Sequence, residues 1–112
     1  MKFLLSIFLN FFALSSLVSC LVFAQEIDLD AGEQVFSNNC TACHAGGNNS
    51  VNPAKTLNLD DLKQYSKDSV DAITYQINNG AGAMPPFAGT LSEEQISSVA
   101  NFVLSQATNN SW

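Results

Sequence analysis

The single histidine of this chain follows two cysteines in the segment Cys40-Thr41-Ala42-Cys43-His44. Residues three apart on a helical turn face the same way, so both thiols can bond to one flat cofactor while the next residue turns its imidazole towards the centre. C-x-x-C-H is the attachment signature of c-type haem. The motif therefore predicts one covalently bound haem, with Cys40 and Cys43 as attachment points and His44 as an axial iron ligand.

Three other kinds of site use the same residue types: a redox dithiol, half of a zinc site and a plain disulfide. A thioredoxin-like dithiol belongs to a βαβ frame, and no strand pattern accompanies this motif. A structural zinc site needs four ligands, but the chain has one histidine and only three cysteines in all. The sequence therefore favours haem attachment over these three alternatives.

Elimination identifies the sixth iron ligand. His44 is the only histidine, so a second histidine of this chain cannot ligate the iron, and Met84 is the only methionine besides Met1. It lies in the run GAGAMPPF at residues 80–87, where glycines let the backbone approach a flat cofactor and prolines stiffen the loop. A methionine that only fills the core is the alternative. Histidine and methionine together fill both axial positions and raise the reduction potential, which favours electron transfer over catalysis at the iron.

The first 24 residues have the composition of an export signal. Residues 3–24 are almost wholly apolar, follow Lys2 and end in V-F-A, which fits the small-residue rule for signal peptidase. We therefore interpret residues 1–24 as a cleaved signal and residues 25–112 as a cytochrome domain. An uncleaved anchor is one alternative, because the run reaches the ~20 residues that span a bilayer. A lipoprotein signal with L-V-S-C at residues 17–20 as a poor lipobox is another.

Length and charge limit the remaining possibilities. A chain of 112 residues has room for one domain, and an exported domain this small usually needs a disulfide or a cofactor for stability. Ten acidic residues against four lysines give a net charge of −6, which disfavours nucleic acid as a partner. A candidate acidic face for steering towards a basic partner consists of Asp60, Asp61, Asp68 and Asp71. An ordinary solvated surface is the alternative.

The pattern of apolar residues predicts an all-α domain with four short helices and no strands. Asp28 or Asp30 caps a first helix over about 29–42, in which Val35 and Phe36 face inward. A second helix begins at Asn58 or Asp60 and extends to about residue 65. A third runs from residue 69 to residue 80, with Val70, Ile73 and Ile77 on one face.

The last helix has the strongest local signal. It begins at Ser92, where Ser92 and Gln95 form a capping box and Leu91 and Ile96 stand at the positions of a hydrophobic staple. Its buried stripe is predicted to consist of Ile96, Val99, Ala100, Phe102, Val103 and Ala107.

Three further expectations concern loops and aromatic residues. Residues 45–55 have the composition of an irregular loop, and a backbone carbonyl in it should accept a hydrogen bond from the second ring nitrogen of His44. Tyr65 and Tyr75 are expected in the core or at the haem edge. Trp112 is expected to pack back on the domain.

These residues resemble cytochrome c6, the soluble carrier of cyanobacteria and algal chloroplasts. The likeness covers nearly all of the chain after residue 24. The haem motif alone would indicate any c-type cytochrome, whereas the asparagine-rich loop, the Ala-Met-Pro loop and the last helix together indicate this family. It is carried by residues 30–33 and 35–36, the segment 40–49, Lys55-Thr56-Leu57, residues 82–85, residues 99–106 and Trp112.

The resemblance implies a class I cytochrome c fold wrapped around one haem, with the first and last helices crossing through Gly32, Phe36, Val99 and Phe102. It implies that the protein accepts electrons from cytochrome f of the cytochrome b6f complex and donates them to photosystem I in the thylakoid lumen. It also implies that Gln76 lies beside the haem and tunes its potential; a solvent-facing glutamine is the alternative.

The chain departs from the family at two positions. Members often carry a lysine where this chain has Ala81 and an arginine where it has Thr90, and this chain contains no arginine. Other functions remain open at this point: a periplasmic donor to a terminal oxidase, a haem peroxidase or dehydrogenase subunit, and a structural cytochrome of a photosystem. A single export signal fits a cyanobacterium or a plastid-encoded gene.

Overall fold

The computed structural model describes residues 27–112, so the expected export signal at 1–24 lies outside the described residues. These residues form helices joined by turns and loops, and no β-strand occurs among them. The elements are α1 (Leu29–Asn39), α2 (Thr41–His44), a 3₁₀ turn (Ala45–Gly47), α3 (Leu59–Gln64), α4 (Val70–Asn79) and α5 (Glu93–Asn109). The prediction of an all-α domain is confirmed.

The first predicted helix is divided at Cys40. Its start is as expected, since the Asp28 carboxylate accepts a hydrogen bond from the Ala31 amide at 3.0 Å. A continuous helix over 29–42 is wrong, however, because α1 ends at Asn39 and α2 begins at Thr41. The Asn39 side chain donates to the Val35 carbonyl at 2.9 Å, and asparagine is a poor helix former that competes for backbone groups. Cys40 therefore lies at a break between two helices.

Helices α1 and α5 cross at the expected residues. A side chain at Gly32 would overlap the Ser98 carbonyl oxygen and lie 2.8 Å from the Phe102 Cβ, so only glycine allows this approach. The rings of Phe36 and Phe102 meet at 5.5 Å between centroids. The predicted stripe of α5 is buried in full: Ile96, Val99, Ala100, Phe102, Val103 and Ala107.

Of the three later helices, two begin with the side-chain cap that the sequence predicts. Ser69 accepts from the Ala72 amide at the start of α4, and Ser92 and Gln95 form the complete capping box of α5. Asn58 occupies the cap position of α3, but its side chain makes no capping hydrogen bond.

The buried core of the described residues is entirely apolar. A central cluster joins α1, α4 and α5 and consists of Val35, Phe36, Ile73, Ile77, Ile96, Val99, Ala100, Phe102 and Val103. Tyr65 and Tyr75 are 38% and 67% exposed. The core alternative is therefore wrong for both, while packing at the haem edge stays a prediction. Within residues 27–112, no helix combines the length and the apolar character needed to cross a bilayer.

Candidate haem site

The two cysteines of the motif are not joined to each other in a disulfide. Cys40 lies at the break between α1 and α2, and Cys43 lies within α2. Cys40 is half-buried and Cys43 is exposed. The turn between them is helical, because the His44 amide donates to the Cys40 carbonyl at 2.9 Å. One half-buried and one exposed sulfur on a single turn are suited to hold the edge of a cofactor that lies against the core.

The alternatives to haem attachment fit this geometry less well. Burial raises the pKa of the Cys40 thiol to about 11, whereas a redox dithiol needs a lowered thiol pKa. Among residues 27–112, no group of three or more histidine, cysteine, aspartate or glutamate side chains could hold a metal ion, which disfavours a zinc site. The free state of both thiols likewise gives no support to a disulfide.

His44 is oriented by a backbone carbonyl of the following loop. Its Nδ1 lies 2.9 Å from the carbonyl oxygen of Asn48. A carbonyl oxygen can only accept, so this bond requires the proton on Nδ1 and leaves the lone pair of Nε2 available to a metal. The prediction that a carbonyl of the 45–55 loop orients His44 is confirmed, and Asn48 supplies it.

The segment after His44 is fixed by its own hydrogen bonds. We call residues 45–57 the His44 loop. The Ser50 amide donates to the Cys43 carbonyl at 3.0 Å and the Leu57 amide to the Gly47 carbonyl at 2.7 Å. The side chain of Asn49 accepts from two backbone amides and donates to the Lys55 carbonyl. The asparagine-rich composition therefore gives an ordered loop, although it has no regular secondary structure after the 3₁₀ turn at Ala45–Gly47.

Trp112 closes the His44 loop from the other end of the chain. Its indole N–H donates to the Leu57 carbonyl at 3.2 Å. A Cβ at Gly47 would lie 2.5 Å from the indole Cγ, so the ring stands directly over that glycine. The prediction that Trp112 packs back on the domain is confirmed.

Met84 lies in a loop that is fastened to the end of α4. We call residues 80–91 the Met84 loop. Ala81 and Met84 exchange both backbone hydrogen bonds, at 3.1 and 3.0 Å, and the Phe87 amide donates to the Ile77 carbonyl at 2.9 Å. At Gly80 the backbone has φ 66° and ψ 179°, and a Cβ there would overlap the Met84 carbonyl oxygen. Gly80 thus allows the loop to fold back on itself.

Among the described residues, Gln76 provides a polar side-chain contact to the sulfur of Met84. Its amide nitrogen lies 4.0 Å from the Met84 sulfur, at the limit for a hydrogen bond to sulfur. Both side chains are half-buried.

The fold brings the attachment motif and the methionine to one core. Cys40 and Met84 are both partly buried against the central cluster. Together with the available nitrogen of His44, these donors fit a haem held at one edge by thioethers and at its iron by nitrogen and sulfur.

The predicted acidic face is only partly free. Asp60, Asp68 and Asp71 are exposed, but Asp61 accepts hydrogen bonds from the Thr56 hydroxyl and amide. These two bonds, the hydroxyl first, hold the pKa of Asp61 below its ordinary value. The sequence analysis missed this pair; only the order Thr-x-x-x-x-Asp, which runs from the loop into the first turn of α3, could have suggested it.

Comparisons with known proteins identify the family. A family model described as cytochrome c oxidase, cbb3-type, subunit III matches residues 27–103. Cytochrome c6 of Pyropia tenera is 59% identical over 80 residues, which cover 71% of this chain and 94% of that protein. Cytochrome c6 of Picosynechococcus sp. is 52% identical over 92 residues, with 76% and 79% covered.

Among solved structures, the cytochrome c6 of the diatom Phaeodactylum tricornutum superposes with a TM-score of 0.73 at 46% identity. The match covers 76% of this chain and 99% of that one. The described residues thus have the class I cytochrome c architecture. The chain belongs to the cytochrome c6 family of c-type cytochromes and is an electron carrier with a covalently bound haem c, not an enzyme.

Proposed function

We propose that this protein carries single electrons from cytochrome f of the cytochrome b6f complex to photosystem I in the thylakoid lumen. Haem c supplies the one-electron Fe(III)/Fe(II) couple for this transfer. The observation that carries the proposal is that Cys40 and Met84 both pack against the same apolar cluster, which supports a haem attached at Cys40 and ligated by Met84.

In this proposal each site residue has one role. Cys40 and Cys43 would hold the haem through thioether bonds, and His44 and Met84 would supply the nitrogen and sulfur that ligate its iron. The hydrogen bond from Nδ1 of His44 to the Asn48 carbonyl holds the tautomer in which Nε2 can ligate.

Gln76 is proposed to tune the potential through Met84. Its amide N–H group points positive charge at the sulfur across 4.0 Å, which reduces electron donation from the ligand and favours ferrous iron. Replacing Gln76 by leucine should therefore lower the reduction potential while leaving the methionine bound.

Replacing Met84 by leucine tests the ligand set. Leucine keeps an apolar side chain but removes the sulfur, so the weak absorption band from methionine to ferric iron should disappear and the reduction potential should fall. Phe87→Leu, a change in the same loop that keeps the sulfur, should retain the band. A Met84→Leu protein that still shows the band would overturn the ligand assignment.

Flash excitation of photosystem I tests the partner. Reduced protein should re-reduce the photo-oxidised reaction centre rapidly, and more slowly with Met84→Leu. The description of the matching family model as an oxidase subunit favours a second candidate, electron donation to a terminal oxidase. Turnover of an oxidase with no reaction at photosystem I would replace the first proposal by the second.

A further inference from the structure

Trp112 connects the end of the chain to the loop that orients His44. The indole is half-buried and donates to the Leu57 carbonyl, 55 positions earlier in the sequence. Its ring covers Gly47, where a Cβ would lie 2.5 to 2.6 Å from three indole atoms. The contact is therefore tight at two points of the His44 loop, near its beginning and at its end.

These two points are themselves joined. The Leu57 amide donates to the Gly47 carbonyl at 2.7 Å, so Leu57 bonds Gly47 through its N–H and Trp112 through its carbonyl. Gly47 precedes Asn48, the residue whose carbonyl lies 2.9 Å from Nδ1 of His44. A short path of contacts thus runs from Trp112 through Gly47 and Leu57 to the imidazole.

The backbone at this place needs external support. Gly46 and Gly47 have φ values of 64° and 75°, and two consecutive glycines in the left-handed region have many alternative conformations when nothing restrains them. A rigid indole over Gly47 removes that freedom. It restrains the backbone that leads into Asn48, whose carbonyl faces His44.

We propose that Trp112 is a positioning residue for His44, holding the Asn48 carbonyl where it orients the imidazole. The inference rests on the proposed role of His44 as an iron ligand. Groups that bond the second nitrogen of a ligating histidine set the ring orientation and the basicity of the ligand. Trp112 therefore acts on His44 through Leu57, Gly47 and Asn48, without being required to touch the haem.

A purely structural role for Trp112 is the competing explanation. The indole also packs against Phe36 at 5.2 Å and edge-on against Phe102 at 6.1 Å between ring centroids. Its removal would destabilise the domain in either case, so loss of stability alone decides nothing.

The test compares three variants of the haem-loaded protein: Trp112→Ala, Trp112→Phe and Val99→Ala. Phenylalanine keeps a ring over Gly47 and removes the N–H group. Val99 is 1% exposed at the crossing of α1 and α5, so its truncation destabilises the same core as a matched control. Two quantities are measured: the hyperfine-shifted proton signals of the haem methyl groups and His44 ring in the ferric state, and hydrogen exchange of the Leu57 amide.

Trp112→Ala should redistribute the haem methyl shifts, which depend on the plane of the imidazole. Exchange of the Leu57 amide should accelerate roughly tenfold, the change expected from losing one hydrogen bond and its packing. Trp112→Phe, the variant more certain to fold, should show the same changes at smaller amplitude. Val99→Ala should leave the pattern of methyl shifts as in the unmodified protein.

Two results would overturn the proposal. One is an unchanged methyl pattern in both Trp112 variants; the other is an equal change in Val99→Ala. Failure of the underlying ligand role is a separate result, because the unmodified protein would then show no hyperfine-shifted His44 ring signals at all.

Discussion

The His44 loop and the Met84 loop lie on the same small domain but are held in different ways. The His44 loop is closed by Trp112, a residue 55 positions beyond Leu57. The Met84 loop is held by backbone bonds within itself and to the last turn of α4, such as the bond from Phe87 to Ile77. The methionine side chain has one weak polar contact, to Gln76 at 4.0 Å.

This difference predicts which of the two loops opens at the lower free energy. Opening the His44 loop requires the release of an indole that also packs on Phe36, so it should approach global unfolding in free energy. Opening the Met84 loop breaks local hydrogen bonds and the partial packing of Met84, Phe87 and Leu91 on the central cluster. It does not require the release of a fully buried residue at the crossing of α1 and α5. Segments held by local contacts open at lower free energy than those tied into the core.

The largest effect is expected from Gly80→Ala in the Met84 loop. The new Cβ would overlap the Met84 carbonyl oxygen and lie 2.8 Å from backbone atoms of Pro85 and Pro86, and the φ and ψ of Gly80 suit glycine alone. Strain and overlap together should cost about 2–4 kcal/mol of unfolding free energy. The methionine absorption band should weaken as the loop shifts.

Gly82→Ala is the matched control for that change. Gly82 has a φ of 57°, but a Cβ there meets nothing within 4 Å. Only the backbone strain remains, about 1 kcal/mol, and the band should persist. If denaturant unfolding shows that both variants lose the same unfolding free energy, the overlap of the new Cβ with the Met84 carbonyl adds no cost, and the close approach at Gly80 is not needed to hold this loop.

The second effect concerns Gly47→Ala in the His44 loop. The added methyl would strike the indole of Trp112 at 2.5 Å, whereas at Gly46 the nearest atom is 3.5 Å away, on the Asn48 side chain. Gly47→Ala should therefore destabilise the domain by about 1–3 kcal/mol more than Gly46→Ala. Denaturant unfolding of both proteins measures the difference.

A double variant makes this prediction specific to Trp112. In a Trp112→Ala background the clash at Gly47 disappears, so Gly47→Ala should cost no more there than Gly46→Ala does. Contacting residues are expected to show such non-additive free energies. Strict additivity would show that the indole does not constrain Gly47.

Much of this architecture could be predicted from the sequence because its signals are local. The capping box at Ser92 and Gln95 and the buried stripe of α5 follow from spacing along one helix. The division of α1 from α2 at Cys40 could not be seen in the same way, since the apolar pattern continues across it and a side-chain bond from Asn39 to Val35 accompanies the break.

The site shows the same division between local and distant information. The roles of the attachment motif, His44 and Met84 are predicted from residue type and number. The carbonyl that orients His44 was predicted as a class, but its identity, Asn48, depends on how two glycines with positive φ turn the loop. The contact of Trp112 with Leu57 joins distant positions, and no periodicity encodes such a contact.

The two loops also differ at the points where they enter the next helix. The Met84 loop leads into α5 through neutral groups, the Ser92 hydroxyl and the Gln95 amide. The His44 loop leads into α3 through a carboxylate, because the Thr56 hydroxyl donates to Asp61 at 2.5 Å. Of these capping and connecting hydrogen bonds, only those of the second connection have a partner that titrates.

The smallest effect, expected from Thr56→Val, should therefore depend on pH. The Thr56 hydroxyl is the main cause of the lowered pKa of Asp61. A lowered carboxyl pKa contributes stability that is present above the ordinary pKa and is lost as the pH falls through the lowered value. Thr56→Val should thus be less stable than the unmodified protein at neutral pH, and the Asp61 part of this difference should vanish in acid.

Ser92→Ala, the control, should cost about 1 kcal/mol at every pH because neither partner of that cap titrates. Denaturant unfolding at a series of pH values measures both, and a Thr56→Val difference that does not change with pH would show that the Asp61 bond contributes nothing to closing the His44 loop.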